Sequence, residues 1–136
     1  MAVGLVIVSH SARLAEGVVE LASQMAASVR MVAAGGTDDG GLGTSLTKVL
    51  DALIAVDSAD GVVVFVDLGS AALVAEMALE QLPTWQRVRI RIASAPLVEG
   101  SVVAAVQASI GSSIEEVVAA AEEAITLDKL VRRRHE

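Results

Sequence analysis

The sequence predicts an α/β protein built on an open, mostly parallel β-sheet with helices on both faces. Apolar runs at residues 3–8, 29–34 and 61–66, the first of them unbroken, are typical of strands that are buried on both sides. Each run is followed by a segment in which apolar residues recur at helical spacing. This alternation favours a parallel sheet, because each helix carries the chain back to the edge from which the next strand starts.

The predicted helices follow the strands in order. They cover residues 14–25, 46–53 and 73–80, and two more at 98–110 and 114–125 are separated by Gly111 and Ser112. Thr44, Ser70 and Ser113 have the residue types that cap helix N-termini. Ser113 is followed three positions later by Glu116, which predicts a capping box.

The fourth predicted strand differs from the first three. At residues 87–92 arginines alternate strictly with aliphatic residues, which indicates one buried face and one face that is wet or paired with a partner. This pattern suits an edge strand. Pro83 is expected to end the preceding helix, and Pro96 follows the strand.

Composition excludes several classes of protein. The 136 residues fit one domain, and although 54% are hydrophobic, no apolar run reaches the roughly 18 residues of a membrane span. The first run lacks a preceding basic region, so we interpret it as a core strand and not as a signal peptide. The absence of cysteine excludes disulfides, thiolate metal sites and cysteine nucleophiles. A net charge of −7 argues against general nucleic-acid binding.

No internal repeat or linker divides the chain. We therefore predict one domain at residues 1–126 and a basic C-terminal tail at 127–136. Three consecutive arginines, Arg132, Arg133 and Arg134, lie in that tail, which we expect to be solvated.

Polar clusters follow all four predicted strands. They are Ser-His-Ser at 9–11, a glycine-rich stretch at 35–41, Asp-Leu-Gly-Ser at 67–70 and Ser-Ala-Pro at 94–96. Because the carboxyl ends of parallel strands meet at one edge of the sheet, we expect these clusters to form one site. His10 is the only histidine outside the C-terminal tail.

His10 and Asp67 are the strongest candidate pair. A carboxylate bonded to one ring nitrogen fixes the imidazole tautomer and leaves a lone pair on the other nitrogen for attack. Nearby glycines and hydroxyl residues at helix N-termini favour a phosphate. We predict a phosphohistidine site in which His10 is the nucleophile and Asp67 its orienter, with no metal. Candidate phosphate- or partner-binding residues are Ser9, Ser11, Arg13, Gly36, Gly69 and Ser70.

Simpler interpretations remain open for each element. His10 fits a structural histidine, and Asp67 fits a cap of the following helix. The glycine-rich stretch fits a flexible loop, and Arg13 fits a surface charge.

Other chemistries fit the sequence less well. The chain lacks a P-loop motif and a Gly-x-Ser-x-Gly elbow. Ser9 and His10 are adjacent, so on a strand their side chains point to opposite faces. A receiver domain phosphorylated on Asp67 would need acidic metal ligands after the first strand, where this chain has Ser-His. No cluster of histidines and carboxylates makes a convincing zinc site.

Five motifs together resemble the phosphotransferase subunit family of phosphoenolpyruvate-dependent dihydroxyacetone kinase, which has the mannose-type IIA fold. They lie at residues 9–11, 35–36, 43–45, 67–71 and 95–100. The resemblance extends from Val3 to about Ala124. It implies a cytoplasmic homodimer in which His10 receives a phosphoryl group from the phosphocarrier protein HPr. It also implies transfer to ADP held by a partner kinase subunit, so that this chain itself holds no tightly bound cofactor. In this interpretation Gly69 and Ser70 offer backbone donors.

Two departures from the family pattern are visible. Relatives often carry an asparagine soon after the Asp-Leu-Gly-Ser motif, where this chain has residues 71–74, Ala-Ala-Leu-Val. Some relatives continue into HPr-like and enzyme I-like domains, so we expect this chain to depend on a separate HPr. The alternatives are a IIA component of a mannose-class sugar phosphotransferase system, a non-catalytic flavodoxin-like module, and a receiver-like regulator.

Overall fold

The computed structural model describes residues 2–130 of the chain. The strands are β1 (Gly4–Ser9), β2 (Met31–Gly35), β3 (Val62–Val66) and β4 (Ile90–Ile92). The helices are α1 (Ala12–Met25), α2 (Leu46–Ala55), α3 (Gly69–Glu80), α4 (Thr84–Arg87), α5 (Leu97–Ser109) and α6 (Ile114–Glu123). A 3₁₀ turn at Ala124–Thr126 follows α6.

The sheet has the strand order β2-β1-β3-β4, and every neighbouring pair of described strands is parallel. The predicted α/β class is therefore confirmed. β1 lies between β2 and β3, where Val8 is paired with Ala34 on one side and with Val66 on the other. This central position puts the exit of β1 beside the exit of β3.

Side chains alternate along β1 between two separate cores. Leu5 and Ile7 pack with α1, α5 and α6 on one face of the sheet. Val6 and Val8 pack with α2 and α3 on the other face. All four are fully buried, which explains why the strand is apolar up to its last residue, Ser9. The helices on both faces were predicted from the sequence.

The fourth strand is shorter than predicted. Residues 84–87 form the helical turn α4, and only Ile90–Ile92 pairs with β3. Pro83 contributes to the difference: its carbonyl accepts hydrogen bonds from the N–H groups of Gln86 and Arg87, so the helical turn extends to Arg87, the first residue of the predicted strand. The edge position was predicted correctly, since β4 is the last strand in the order.

Helix starts follow the predicted chemistry in part. Ser113 caps α6 with the expected capping box to Glu116. Ser45, not Thr44, caps α2 by accepting a hydrogen bond from the Lys48 N–H. Ser70 is not a cap, because α3 begins one residue earlier and Leu68 occupies the N-cap position.

The C-terminal prediction is only partly covered by the structure. Residues 127–130 are exposed, and Lys129 forms an ion pair of 2.6 Å with Glu99 in the first turn of α5. The predicted arginine cluster Arg132–Arg134 lies outside the described residues. Within residues 2–130, the helices are too short and too polar for any of them to cross a bilayer.

Candidate functional site

His10 and Asp67 meet where the two central strands end. β1 ends at Ser9 and β3 at Val66, and because Val8 is paired with Val66, Asp67 follows β3 within one residue of the level at which His10 follows β1. The His10 Nδ1 atom lies 3.0 Å from Asp67 Oδ1. The structure therefore brings together the pair that the sequence suggested.

Four donors converge on the Asp67 carboxylate. Oδ1 accepts hydrogen bonds from the His10 ring at 3.0 Å and from the Leu68 N–H at 2.8 Å. Oδ2 accepts one from the Ser9 hydroxyl and one from the His10 backbone N–H, both at 2.9 Å. No side chain caps the N-terminus of α3, so the Asp67 carboxylate binds His10 and does not cap that helix.

These contacts set the ionisation of Asp67. Partial burial raises the pKa of the carboxyl, but hydrogen bonds from the His10 backbone, the His10 ring, Ser9 and Leu68 outweigh burial and hold the pKa below its ordinary value of 3.8. Asp67 is consequently a carboxylate at neutral pH. An ionised carboxylate only accepts hydrogen bonds, which assigns the proton to His10 Nδ1.

The second ring nitrogen of His10 faces outward. With the proton on Nδ1, Nε2 carries a lone pair and accepts a hydrogen bond of 2.8 Å from the Ser70 hydroxyl. The His10 side chain is 28% exposed while that of Asp67 is 13% exposed, and the hydrogen bond at Nε2 is exposed whereas the one at Nδ1 is part-buried, so Nε2 is the accessible end of the pair. This arrangement presents a nucleophile to a group arriving from solvent.

The loop after β2 fixes the His10 backbone from the opposite side. The Gly43 N–H donates to the His10 carbonyl at 2.8 Å, and the Gly36 N–H donates to the Ser9 carbonyl at 3.1 Å. Gly36 has φ of +78°, a conformation that favours glycine. The glycine-rich stretch is thus a support for the β1 exit and not only a flexible connection.

Several predicted binding residues are occupied by internal contacts. Ser9 is fully buried, and its hydroxyl also accepts a hydrogen bond from the Ser11 N–H at 3.0 Å. The Ser11 hydroxyl caps α1 through the Leu14 N–H. The N–H of Gly36 is bonded to Ser9, as described. Roles of these three in phosphate binding remain predictions, but their bonds serve to hold the site together.

Other predicted residues are open to solvent. Gly69 and Ser70 are exposed at the start of α3, where the structure gives no hydrogen bond to either N–H group from residues 2–130. Arg13 is exposed and lines a cavity of about 360 Å³ with Ser11 and the loop residues Gly40 and Leu42.

The end of β4 is separate from the His10 network. The Ser94 N–H donates to Glu122 Oε2 at 2.9 Å, so this segment is tied to α6. A cavity of about 320 Å³ lies between the ends of β3 and β4, with Asp67 and Ser94 among its lining residues. Of the four strand ends predicted to form one site, β1 and β3 supply the side chains of the His10 network and β2 supplies backbone support. A role for the β4 end, which shares a cavity with Asp67, stays a prediction.

Two backbone donors and the direction of the Ser9 side chain were not predicted from the sequence. Nothing in residue type marks the N–H groups of Gly43 and Leu68 as contacts of His10 and Asp67. Ser9 and His10 were expected to point apart, yet both reach Asp67, because β1 ends at Ser9 and the chain bends at His10. Among residues 2–130, no three histidine or acidic side chains cluster as metal ligands would.

Comparison with known sequences identifies the family. The chain matches the EIIA-man family, described as the PTS system fructose IIA component, over residues 4–118. It is 38% identical over 117 residues to the phosphoryl donor subunit DhaM of the PEP-dependent dihydroxyacetone kinase 2 of Listeria innocua, which covers 85% of this chain and 94% of the relative. The chain belongs to the DhaM group of the EIIA-man family. The predicted mannose-type IIA fold is thereby confirmed.

Other DhaM relatives are considerably longer. The phosphoryl donor subunit DhaM of the Escherichia coli (strain K12) enzyme is 48% identical over 120 residues, which are 85% of this chain and 25% of the relative. This chain thus spans about a quarter of that relative's length. A solved crystal structure of a protein of unknown function has a TM-score of 0.83 and 33% identity, covering 90% of this chain and 95% of the other.

Proposed function

We propose that this chain is the phosphohistidine carrier of a phosphoenolpyruvate-dependent dihydroxyacetone kinase. In this proposal His10 accepts a phosphoryl group from HPr and passes it to ADP held by a partner kinase subunit, which phosphorylates dihydroxyacetone. The observation that carries the proposal is the His10 ring, with Nδ1 bonded to the Asp67 carboxylate and Nε2 facing solvent. The names of the DhaM relatives support the same chemistry.

The accepting step uses the lone pair of His10 Nε2. Nε2 attacks the phosphorus of the donor, a P–N bond forms, and the bond from phosphorus to the donor breaks with its electron pair leaving on the donor. The ring becomes an imidazolium, whose Nδ1 proton stays bonded to Asp67. The carboxylate therefore stabilises the positive charge that develops during attack.

Ser70 has to leave Nε2 before this step. Its hydroxyl donates a hydrogen bond to the lone pair that attacks. The lone pair is therefore available only after the Ser70 side chain rotates or its hydroxyl donates to a phosphoryl oxygen instead. The free N–H groups at the start of α3 lie beside it and favour the negative charge of the phosphoryl oxygens.

The releasing step reverses the bond changes. The terminal phosphate of the ADP attacks the phosphorus, the P–N bond breaks, and its electron pair returns to Nε2. The chain then has the same protonation as before, with Nδ1–H still bonded to Asp67, and is ready for another cycle. Little is required of this chain besides position and charge.

The surroundings of His10 suit docking of a protein partner. Exposed leucines flank the residues that contact His10: Leu68 is 60% exposed beside Asp67, and Leu42 is 84% exposed beside Gly43. Arg13 is the only cation within ten positions of His10 in the sequence. The partner is therefore expected to supply both an apolar surface and positive charge, and to exclude water from the reactive P–N bond.

The remaining parts of the proposal concern assembly and location. We propose a cytoplasmic homodimer that binds no cofactor tightly, with the ADP belonging to the partner subunit. Light scattering at micromolar concentration should give twice the 13.9 kDa mass of one chain. A stable mass equal to that of one chain would contradict the dimer but leave the carrier chemistry intact.

A reconstituted transfer assay tests the carrier function. The chain is incubated with labelled phosphoenolpyruvate, enzyme I and HPr, and then with the ADP-loaded kinase subunit, the dihydroxyacetone-binding subunit and dihydroxyacetone. We expect one phosphoryl group per chain, lost in acid and stable in alkali as phosphohistidine is, followed by label in dihydroxyacetone phosphate. An alkali-labile group would indicate Asp67 phosphorylation and overturn the proposal.

A second candidate is a IIA component of a sugar phosphotransferase system, which the description of the matched family favours. The labelled chain is divided, and one half receives a mannose-type IIB domain in place of the kinase subunits. Label that moves only to the IIB domain would assign the chain to sugar transport. Label that moves only to dihydroxyacetone supports the kinase.

A further inference from the structure

The Ser9 hydroxyl is fully buried yet makes two hydrogen bonds directly behind the reactive histidine. It donates to Asp67 Oδ2 at 2.9 Å and accepts from the Ser11 N–H at 3.0 Å. With one donor and one acceptor role filled, and with no exposed surface, it does not contact an incoming phosphate. A different role has to explain a polar side chain at the end of an otherwise apolar strand.

We infer that Ser9 is a positioning residue for phosphoryl transfer, which acts by fixing the Asp67 carboxylate against the start of α1. This inference rests on the proposed carrier function. The two oxygens of Asp67 are divided between two tasks: Oδ1 holds the His10 ring, and Oδ2 is held by Ser9 and by the His10 backbone N–H. Rotation of the carboxylate about its last bond would break contacts on both sides.

The second bond of Ser9 extends this support to the helix. The Ser11 N–H that donates to Ser9 belongs to the N-cap residue of α1, and the Ser11 hydroxyl in turn accepts from the Leu14 N–H. The helix start, the Ser9 hydroxyl and the carboxylate are thus connected through successive hydrogen bonds. Loss of the hydroxyl removes the partner of the part-buried Ser11 N–H and leaves Oδ2 with a single donor, the His10 N–H.

The expected consequence is a change in the His10 ring. Removing one donor weakens the ionised, correctly oriented form of Asp67, and the Nδ1–H tautomer is favoured less. A larger share of His10 should carry its proton on Nε2, where it blocks attack. Phosphoryl transfer should therefore slow by about tenfold, because that factor in rate corresponds to the free energy that one hydrogen bond to a charged group typically contributes.

Ser58 provides a matched control at the opposite edge of the sheet. It is also buried, its hydroxyl donates to the Ala2 carbonyl at 3.0 Å, and it accepts from the N–H two residues on, that of Asp60, at 3.1 Å. Ser9→Ala and Ser58→Ala thus each remove a buried hydroxyl that accepts a hydrogen bond from the N–H two residues on. Only the first lies behind Asp67.

The experiment measures the His10 ring and the rate in parallel. ¹⁵N chemical shifts report the His10 tautomer in Ser9→Ala, Ser9→Thr and Ser58→Ala, and single-turnover transfer from phospho-HPr gives the rate. We expect Ser9→Ala to shift the tautomer toward Nε2–H and slow transfer about tenfold. Ser9→Thr, which keeps the hydroxyl, should restore both, and Ser58→Ala should leave both unchanged. An unchanged tautomer in Ser9→Ala, or an equal loss in Ser58→Ala, would overturn the inference.

A double variant tests whether Ser9 acts through Asp67. In an Asp67→Ala background, Ser9→Ala should change the rate by less than twofold, because the group that it positions is gone. A full additional tenfold loss would overturn the positioning role. If Ser9→Ala does not fold, Ser9→Cys, with a weaker donor of similar size, should show an intermediate tautomer shift, and a wild-type tautomer there would overturn the inference. The ring measurement needs no phosphoryl donor, so it separates failure of this inference from failure of the carrier function.

Discussion

The two central strands and the two outer strands end very differently, although all four exits carry polar or glycine-rich residues. At the exits of β1 and β3, side chains form a closed set of hydrogen bonds around Asp67. After β2, two backbone N–H groups, those of Gly36 and Gly43, donate to the carbonyls of Ser9 and His10, and at the exit of β4 the Ser94 N–H donates to Glu122 instead. Chemistry is thus concentrated where two adjacent strands can bring side chains within 3 Å of each other.

His10, at the exit of β1, should be essential for phosphorylation of the chain. His10→Ala should abolish phosphorylation by HPr while leaving the fold intact, because the side chain is partly exposed and its loss empties no core position. Intact mass after incubation with phosphoenolpyruvate, enzyme I and HPr measures this. His135→Ala, which changes the only other histidine of the chain, serves as the control and should label fully. A fully labelled His10→Ala chain would contradict the proposal.

Asp67→Asn should slow phosphoryl transfer by about 10²-fold. An asparagine amide can donate to Nδ1 and so favour the tautomer whose Nε2 is protonated; the corresponding change in serine proteases costs about 10⁴ in rate, and phosphoryl transfer depends more on position. Asp38→Asn is the matched change at an outer exit, where the carboxylate accepts from the Ser45 hydroxyl. It should alter the single-turnover rate by less than twofold. Similar rates for the two variants would erase the distinction between central and outer exits.

Gly35→Ala tests how closely the end of β2 packs on α1. A Cβ atom there would lie 2.6 Å from the Ser11 carbonyl oxygen and 2.9 Å from Ala12 Cα, so backbone has to move. We expect the free energy of unfolding to fall by about 3 kcal/mol. Gly17 lies in α1, the helix on which Gly35 packs, and a Cβ atom added there would have no neighbour within 4 Å. Gly17→Ala should therefore raise the free energy of unfolding by about 0.5–1 kcal/mol. Urea unfolding of both variants checks this, and equal midpoints would show that the contact is relaxed.

The depressed pKa of Asp67 predicts an acid dependence of stability. Because the folded pKa lies below the ordinary value of 3.8, Asp67 stabilises the folded state fully above that value, and this contribution is lost as pH falls through the folded pKa. Denaturant unfolding from pH 6 downward should show a steeper loss for the wild type than for Asp67→Asn. Parallel curves would mean that other carboxyl groups account for the acid sensitivity.

Glu122→Ala should have the smallest effect. It removes the acceptor of the Ser94 N–H at the β4 exit, which is expected to lower the free energy of unfolding by about 1 kcal/mol. The transfer rate should change by less than twofold. A rate loss comparable to that of Asp67→Asn would bring the β4 exit into the functional site.

Local patterns explain which predictions succeeded. Strand β1 is apolar up to its last residue and both of its faces are covered, so an apolar run in the sequence was enough to predict where it lies. The predicted strand at residues 87–92 began too early, because Arg87 still belongs to the helical turn α4 that follows Pro83. The N-cap of α2 was predicted at Thr44 and lies one residue later, at Ser45, where a side-chain hydroxyl caps the helix as expected.

The sequence by itself determined the class of the fold, the exits of the strands and the identity of the two central side chains, since apolar runs and helical periodicity are local properties. Only the tertiary structure decided that β1 and β3 are neighbours, that Ser9 turns toward Asp67, and that Ser70 reaches Nε2. Strand order depends on how helices from distant parts of the chain pack on the two faces of the sheet. The geometry of His10 therefore follows from contacts between residues more than fifty positions apart.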